Sequence, residues 1–159
     1  MPKNTGSLLA GRNLAPLSPE EIRRASNTFL GLDKGVNARY DPTARSVFRV
    51  SVDAGEEYGE IVFGPDIYPG SSVVDPNSAL SLDAAAAHEL THYHRWKSKI
   101  ALSEDALEEL DEALTSLEAI LRYDLHLSES DRRQLVSDAM QRIQRHVKQF
   151  REGKDAKVS

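Results

Sequence analysis

Leucine recurs at positions 107, 110, 114, 117 and 121, spacings of three and four that put all five side chains on one face of a helix. A second stripe, Leu135, Ala139, Met140, Ile143, Val147 and Phe150, follows after a short polar interval. With Ser103 and Ser128 in N-cap positions, the spacing predicts helices over about 104–125 and 129–150, joined by a short turn as in an antiparallel hairpin. A third run over about 82–100, capped by Ser81, precedes them, so this half of the chain is committed to helix-on-helix packing. Charge agrees. Glu104, Asp105, Glu108, Glu109, Asp111, Glu112, Glu118 and Asp124 precede Arg132, Arg133, Arg142, Arg145, Lys148 and Arg151, as expected of two helices of opposite charge packed as a hairpin. A basic face that recruits an acidic partner is the other reading.

The N-terminal half reads differently. Residues 1–17 show no periodicity and are expected to be a flexible leader. "SPEEIRRASNTFLG" opens a short helix with Ser18 as N-cap, Pro19 in the first turn, Glu21 closing a capping box and Gly31 ending it; Ile22, Ala25 and Phe29 are its buried stripe. "SVFRVSVD" alternates, with Phe48, Val50 and Val52 on the inner face, and after the turn "AGEEYG" the run "EIVF" predicts a second strand. "GPDIYPGSSVVDPNS" reads as a long loop, and residues 151–159 as a flexible tail. The expected fold class is α+β: a small antiparallel hairpin or sheet packed on three to four helices, as one domain over residues 18–150 of the 159.

Composition narrows the chemistry. No apolar run approaches the roughly 18 residues needed to cross a bilayer, and the first residues lack the apolar core of a secretory signal. The expectation is a cytoplasmic protein with no membrane partner, a secreted effector being the alternative. A net charge of -5 argues against a general nucleic-acid footprint. Without cysteine, a transition metal would have to be held by His, Asp or Glu.

The third predicted helix contains "AAAAHELTHYHRW", residues 84–96. His88 and His92, four apart, stand on one helix face and can converge on one ion; Glu89 lies about 100° around. This is the HExxH arrangement, with two zinc ligands and a carboxylate placed to take a proton from a metal-activated water. The helical wheel puts Ala84 and Ala85 on the histidine side, leaving room for a strand, and Ala86, Leu90, Tyr93 and Ile100 on the core side. His94 points away and reads as a surface residue; Trp96 reads as a packing anchor.

"HELTH", followed about twenty residues later by "DEALTS", resembles the gluzincin metallopeptidases, the thermolysin-like clan in which a Glu on the next helix completes the site. The resemblance covers residues 81 to about 121. It implies a minimal zincin-like domain holding zinc through His88, His92 and Glu112, with Glu89 as general base and then acid, and a peptide or protein as substrate. The chain departs from the family pattern at Ser116, where the family has an Asp that orients a ligand His. "DEALT" also resembles a segment of the clostridial neurotoxin light chains, which would make Asp111 the ligand. Taking the leucine stripe as the buried side, Glu118 and Asp111 flank it while Glu112 lies nearly opposite, so the wheel favours either of the first two.

"GEIVFG" is the expected edge strand for holding an extended substrate by β-augmentation, and Tyr58, Tyr68 and Tyr93 are candidate donors to an oxyanion. The reading is a single-domain zinc metallopeptidase with a regulatory protein as a further candidate partner. Two rivals stand beside it. One is a non-enzymatic helical protein-binding module; the other is a di-metal bundle built on Glu89-x-x-His92, which wants a second such element that this chain lacks.

Overall fold

Three serines set where the main helices begin. Ser18 accepts from the Glu21 amide while the Glu21 carboxylate accepts from the Ser18 amide, Ser81 accepts from the Ala84 amide, and Ser128 accepts from the Asp131 amide. A computed structural model of the chain describes residues 12–70 and 79–158. In chain order these form α1 (Pro19–Leu32), β1 (Ala38–Tyr40), β2 (Val47–Asp53), β3 (Glu56–Phe63), α2 (Leu82–Lys97), α3 (Glu108–Arg122) and α4 (Glu129–Val158). The fold is a small α+β arrangement, as its sequence pattern predicts. No helix of the described residues is long and apolar enough to cross a membrane.

The sheet differs from expectation in two ways. It is mixed: β2 pairs antiparallel with β3, but the three-residue β1 pairs parallel with β3, giving the order β1-β3-β2. "GEIVF" is therefore in the central strand, not at an edge. Among the described residues, β2 is the edge strand on the hairpin side. The turn between β2 and β3 is only Ala54-Gly55, both at positive φ (53° and 82°), the two-residue connection whose twist suits a hairpin. Beyond Phe48 the hairpin projects into solvent, so Val50 and Val52, expected on a buried face, are exposed.

α2 runs through the middle of the molecule, against α1, β2, β3, α3 and α4. All four alanines from Ala84 to Ala87 are buried, and Phe29, Ile61, Phe63, Leu90 and Leu135 complete the core around them. α2 ends at Lys97. The Ile100 amide reaches back to the Arg95 carbonyl and the Lys99 amide to that of Trp96, with Lys99 at φ 60°, and Ile100 is exposed, not core.

The buried side of α3 is not its leucine stripe. Asp111, Ala113, Thr115, Ser116 and Ala119 face inward, while Leu114, Leu117 and Leu121 are exposed. On α4, Leu135 and Ala139 are buried, but Met140, Ile143, Val147 and Phe150 are exposed. α4 also continues to Val158, through the stretch expected to be a tail. Part of the expected leader belongs to the fold: the Arg12 guanidinium donates to the carbonyls of Asp66, Ile67 and Leu80, and Leu17 is buried. Residues 1–11 and 71–78, the rest of the leader and the middle of the predicted loop, lie outside the described residues.

Two glycines mark close approaches. Gly59 lies beneath Phe48 and Trp96, where a Cβ would meet both rings at 2.8 Å. At Gly64 a Cβ would stand 1.8 Å from the Ala44 carbonyl oxygen, because the β1–β2 loop folds back so that Ser46 Oγ accepts from the Gly64 amide. Backbone cannot yield there as a side chain can. Gly64→Ala is expected to cost about 3 kcal/mol or more and lower the melting temperature by about 10 °C. Gly31→Ala, inside α1 with nothing within 4 Å of its Cβ, should instead stabilise the protein by about 0.5–1 kcal/mol. Thermal denaturation of both variants measures the contrast.

Candidate metal centre

The interior turns of α2 place His88 and His92 one above the other, with ring centroids 4.7 Å apart and planes at 85°. α3 packs against them and presents Glu112, whose Oε2 is 2.7 Å from His88 Nε2 and 2.8 Å from His92 Nε2. One ligand atom from each of the three residues lies within 4.8 Å of the others. Among the described residues this is the cluster of His and carboxylate groups that could hold an ion.

Proton counting decides which ring nitrogens are free. Ser116 Oγ donates its single proton to Asp138 Oδ2 at 2.6 Å, so its contact with His88 Nδ1 at 2.8 Å must be one in which the ring N–H donates. Thr115 Oγ1 likewise spends its proton on the Asp111 carbonyl at 2.7 Å, and can only accept from His92 Nδ1, 3.4 Å away. In its neutral form each imidazole is thereby left with a lone pair on Nε2, aimed at an acceptor oxygen. Lone pair against lone pair is repulsive, and a proton or a metal cation shared among the three atoms makes the arrangement attractive. The donor set of two imidazoles and one carboxylate suits zinc. Burial pushes the Glu112 carboxyl up, but with the two rings protonated, hydrogen bonds and charge from His88 and His92 override it and hold it well below the usual carboxylate range.

Glu89 reaches the sheet, where its Oε2 accepts from the Phe48 amide on β2 at 2.9 Å. Burial pushes its pKa up to about 7, with Glu112 adding to the rise and His92 and the Phe48 amide opposing it. A carboxyl poised there can both take and give a proton near neutral pH.

The other candidates go elsewhere. Asp111 accepts from Arg95 Nη2 and the Leu102 amide, both at 2.9 Å, and Glu118 is paired with Arg95 and Arg122. The wheel favoured these two because it took the leucine side as buried. With that side exposed, Glu112 comes to face α2. Tyr58 donates to Glu56 on the hairpin and Tyr68 to the Glu21 carbonyl. Tyr93 packs on Phe48 and Trp96, and Trp96 is the packing anchor its position suggests.

His94 is not a free surface residue: its Nε2 is 2.5 Å from Asp33 Oδ2, linking α2 to the end of α1. Sequence reasoning missed Asp138 and Arg142, which pair with each other, Arg142 also reaching Glu109 at 3.5 Å. A signal was present, since Asp138 is the one acid between Arg132 and Arg151.

Comparison with protein-family models, with curated proteins and with solved structures returns no match. What this site can do rests on its own geometry.

The Asp33–His94 pair lends itself to a test by pH. Partial burial pushes Asp33 up, and hydrogen bonds from His94, the Gly35 amide and Tyr123 outweigh it, so its folded-state pKa lies below the ordinary 3.8. A depressed carboxylate stabilises fully above its unfolded pKa and loses that contribution as pH falls through the folded value. Asp33→Ala is therefore expected to cost about 1.5 kcal/mol at neutral pH. In urea denaturation across the acid range, its deficit against wild type should close below pH 3.8.

Proposed function

We propose that the chain is a zinc-dependent metallopeptidase, with His88, His92 and Glu112 holding the metal and Glu89 as general base and acid. The observation that carries the reading is the convergence of two Nε2 lone pairs and a carboxylate oxygen, with both imidazole tautomers set by hydrogen bonds behind them. Zinc, when bound, supplies Lewis acidity that activates water at neutral pH and polarises a carbonyl. The chain's own groups handle the proton. A Glu89 Oε atom accepts it from the attacking water as the new C–O bond forms, and returns it to the amine nitrogen as the C–N bond breaks. The Phe48 amide, donating to Glu89, keeps the carboxylate beside β2. β2 is the strand whose outer edge runs past this site, which makes it, in place of β3, the strand on which an extended peptide would pair.

Behind His88, Ser116 bridges to Asp138 of α4, so an orienting carboxylate is supplied at one remove. This answers the departure from the gluzincin pattern at Ser116, and it supports the family resemblance without requiring the family's own residue. Arg142 holds Asp138 from the following turn.

The rival reading, a binding module without catalysis, draws on the exposed apolar side of α3 and α4 and predicts no stoichiometric zinc. Elemental analysis of the purified protein separates the two. About one zinc per chain is expected, lost in His88→Ala and Glu112→Ala and retained in Glu89→Gln, which should lower peptide hydrolysis by about 10²–10⁴-fold. Ser116→Ala and Asp138→Asn should each weaken zinc affinity by about 10- to 100-fold in chelator competition. Wild-type protein that takes up no zinc would overturn the proposal.

A further inference from the structure

The register of the hairpin decides which backbone groups of β2 face outward. Asp53 and Glu56 flank the two-residue turn and stand opposite one another, the pair that a turn of this length closes with hydrogen bonds in both directions. Counting back in steps of two, Ser51, Arg49 and Val47 turn their N–H and C=O toward β3. Val52, Val50 and Phe48 turn theirs the other way, onto the outer edge, and an added strand would pair with these three residues.

One of these outward groups is already engaged. The Phe48 amide donates to Glu89 Oε2 at 2.9 Å, so a carboxylate oxygen stands where the carbonyl oxygen of an added strand would stand. That carboxylate comes from α2, from the residue between the turns that carry His88 and His92. An N–H has a single proton to donate, so Glu89 and an incoming carbonyl exclude one another at Phe48.

We propose that Glu89 is an internal competitor for the peptide-binding edge: an extended peptide pairing with Phe48, Val50 and Val52 takes the Phe48 N–H for its own carbonyl and sets the Glu89 carboxylate free. On the peptidase reading, on which the consequence rests, the freed carboxylate is the general base. A peptide long enough to pair with β2 therefore releases the base, and a short one that does not reach the strand leaves it tied. The ligand class follows from the same geometry. The peptide residue opposite Phe48 must bring both a carbonyl for the Phe48 N–H and an N–H for the Phe48 carbonyl, which excludes proline there.

The competition itself needs no metal, so it can be measured apart from zinc binding. Isothermal titration calorimetry of the full chain, as purified and with a chelator present so that no hydrolysis consumes the probe, uses a blocked Thr-Val-Thr-Val-Thr peptide. Glu89→Ala is expected to bind it about tenfold more tightly than wild type, with Glu89→Gln, a weaker acceptor, between the two. Because a variant could alter the fold, the Phe48 amide resonance of nitrogen-labelled protein supplies a second reading. It should differ between wild type and Glu89→Ala without peptide and coincide when peptide saturates both, since the donor then meets the same acceptor. Equal affinities, binding by neither protein, or a wild-type Phe48 resonance that stays in place as peptide saturates would overturn the inference, whatever the zinc content. Tighter binding by Glu89→Ala in a chain that takes up no zinc would uphold the competition and overturn its link to catalysis.

Discussion

α2 packs against α1, the sheet, α3 and α4, and carries His88, Thr91 and Arg95 among its buried residues. A polar group taken out of water must be hydrogen-bonded or it costs more than its burial returns. That constraint organises everything packed around it. Thr91 resolves its own share by donating to the Ala87 carbonyl. Arg95 takes Asp111, Glu118 and the Ile100 carbonyl, and the two histidines take Glu112, Ser116 and Thr115. The side chains that answer His88, His92 and Arg95 come from α3, so α3 must turn its polar and small residues inward. Its leucines are left to the outside as a consequence.

The alanines belong to the same account. Ala84 to Ala87 keep the first turns of α2 thin enough for α1, the sheet, α3 and α4 to close on it, and the close approach is what brings Glu112 within hydrogen-bond reach of two imidazoles. On the sheet side Gly59 plays the corresponding role, letting Phe48 and Trp96 lie flat against β3. Phe48 then does two things with one residue: its ring packs on Tyr93 and Trp96, and its amide holds Glu89.

Much of this was legible beforehand. His88, Glu89 and His92 could be placed on one helix from spacing alone, the serine caps at 18, 81 and 128 were readable, and "DEALTS" singled out Glu112 by likeness where the helical wheel pointed to Asp111 or Glu118. Ser103, expected to cap α3, does not, because a single turn over Asp105–Leu107 intervenes and α3 starts at Glu108 behind Leu107 with no side-chain cap. The wheel failed for a physical reason: it assumes that leucine faces the core, and α3 spends its buried side on partners for α2. β1 was invisible because three residues, "ARY", carry no periodicity, and without it β3 could not be recognised as central. Asp138 could be noticed as an isolated acid in a basic run, but only the packing of α4 on α3 assigns it to Ser116. The helical continuation of α4 past residue 150 has no apolar stripe to announce it.

The Ser116–Asp138 link also sets an order of events. His88 reaches Ser116 across 28 residues of chain, and Ser116 reaches Asp138 across a further 22. Contacts so distant in sequence form late, after local helices have closed. During synthesis, then, α2 and its histidines exist well before the carboxylate that orients one of them has left the ribosome. The imidazole pair is complete only in a chain that has finished folding, and a nascent or truncated chain presents the same HExxH residues without their orientation.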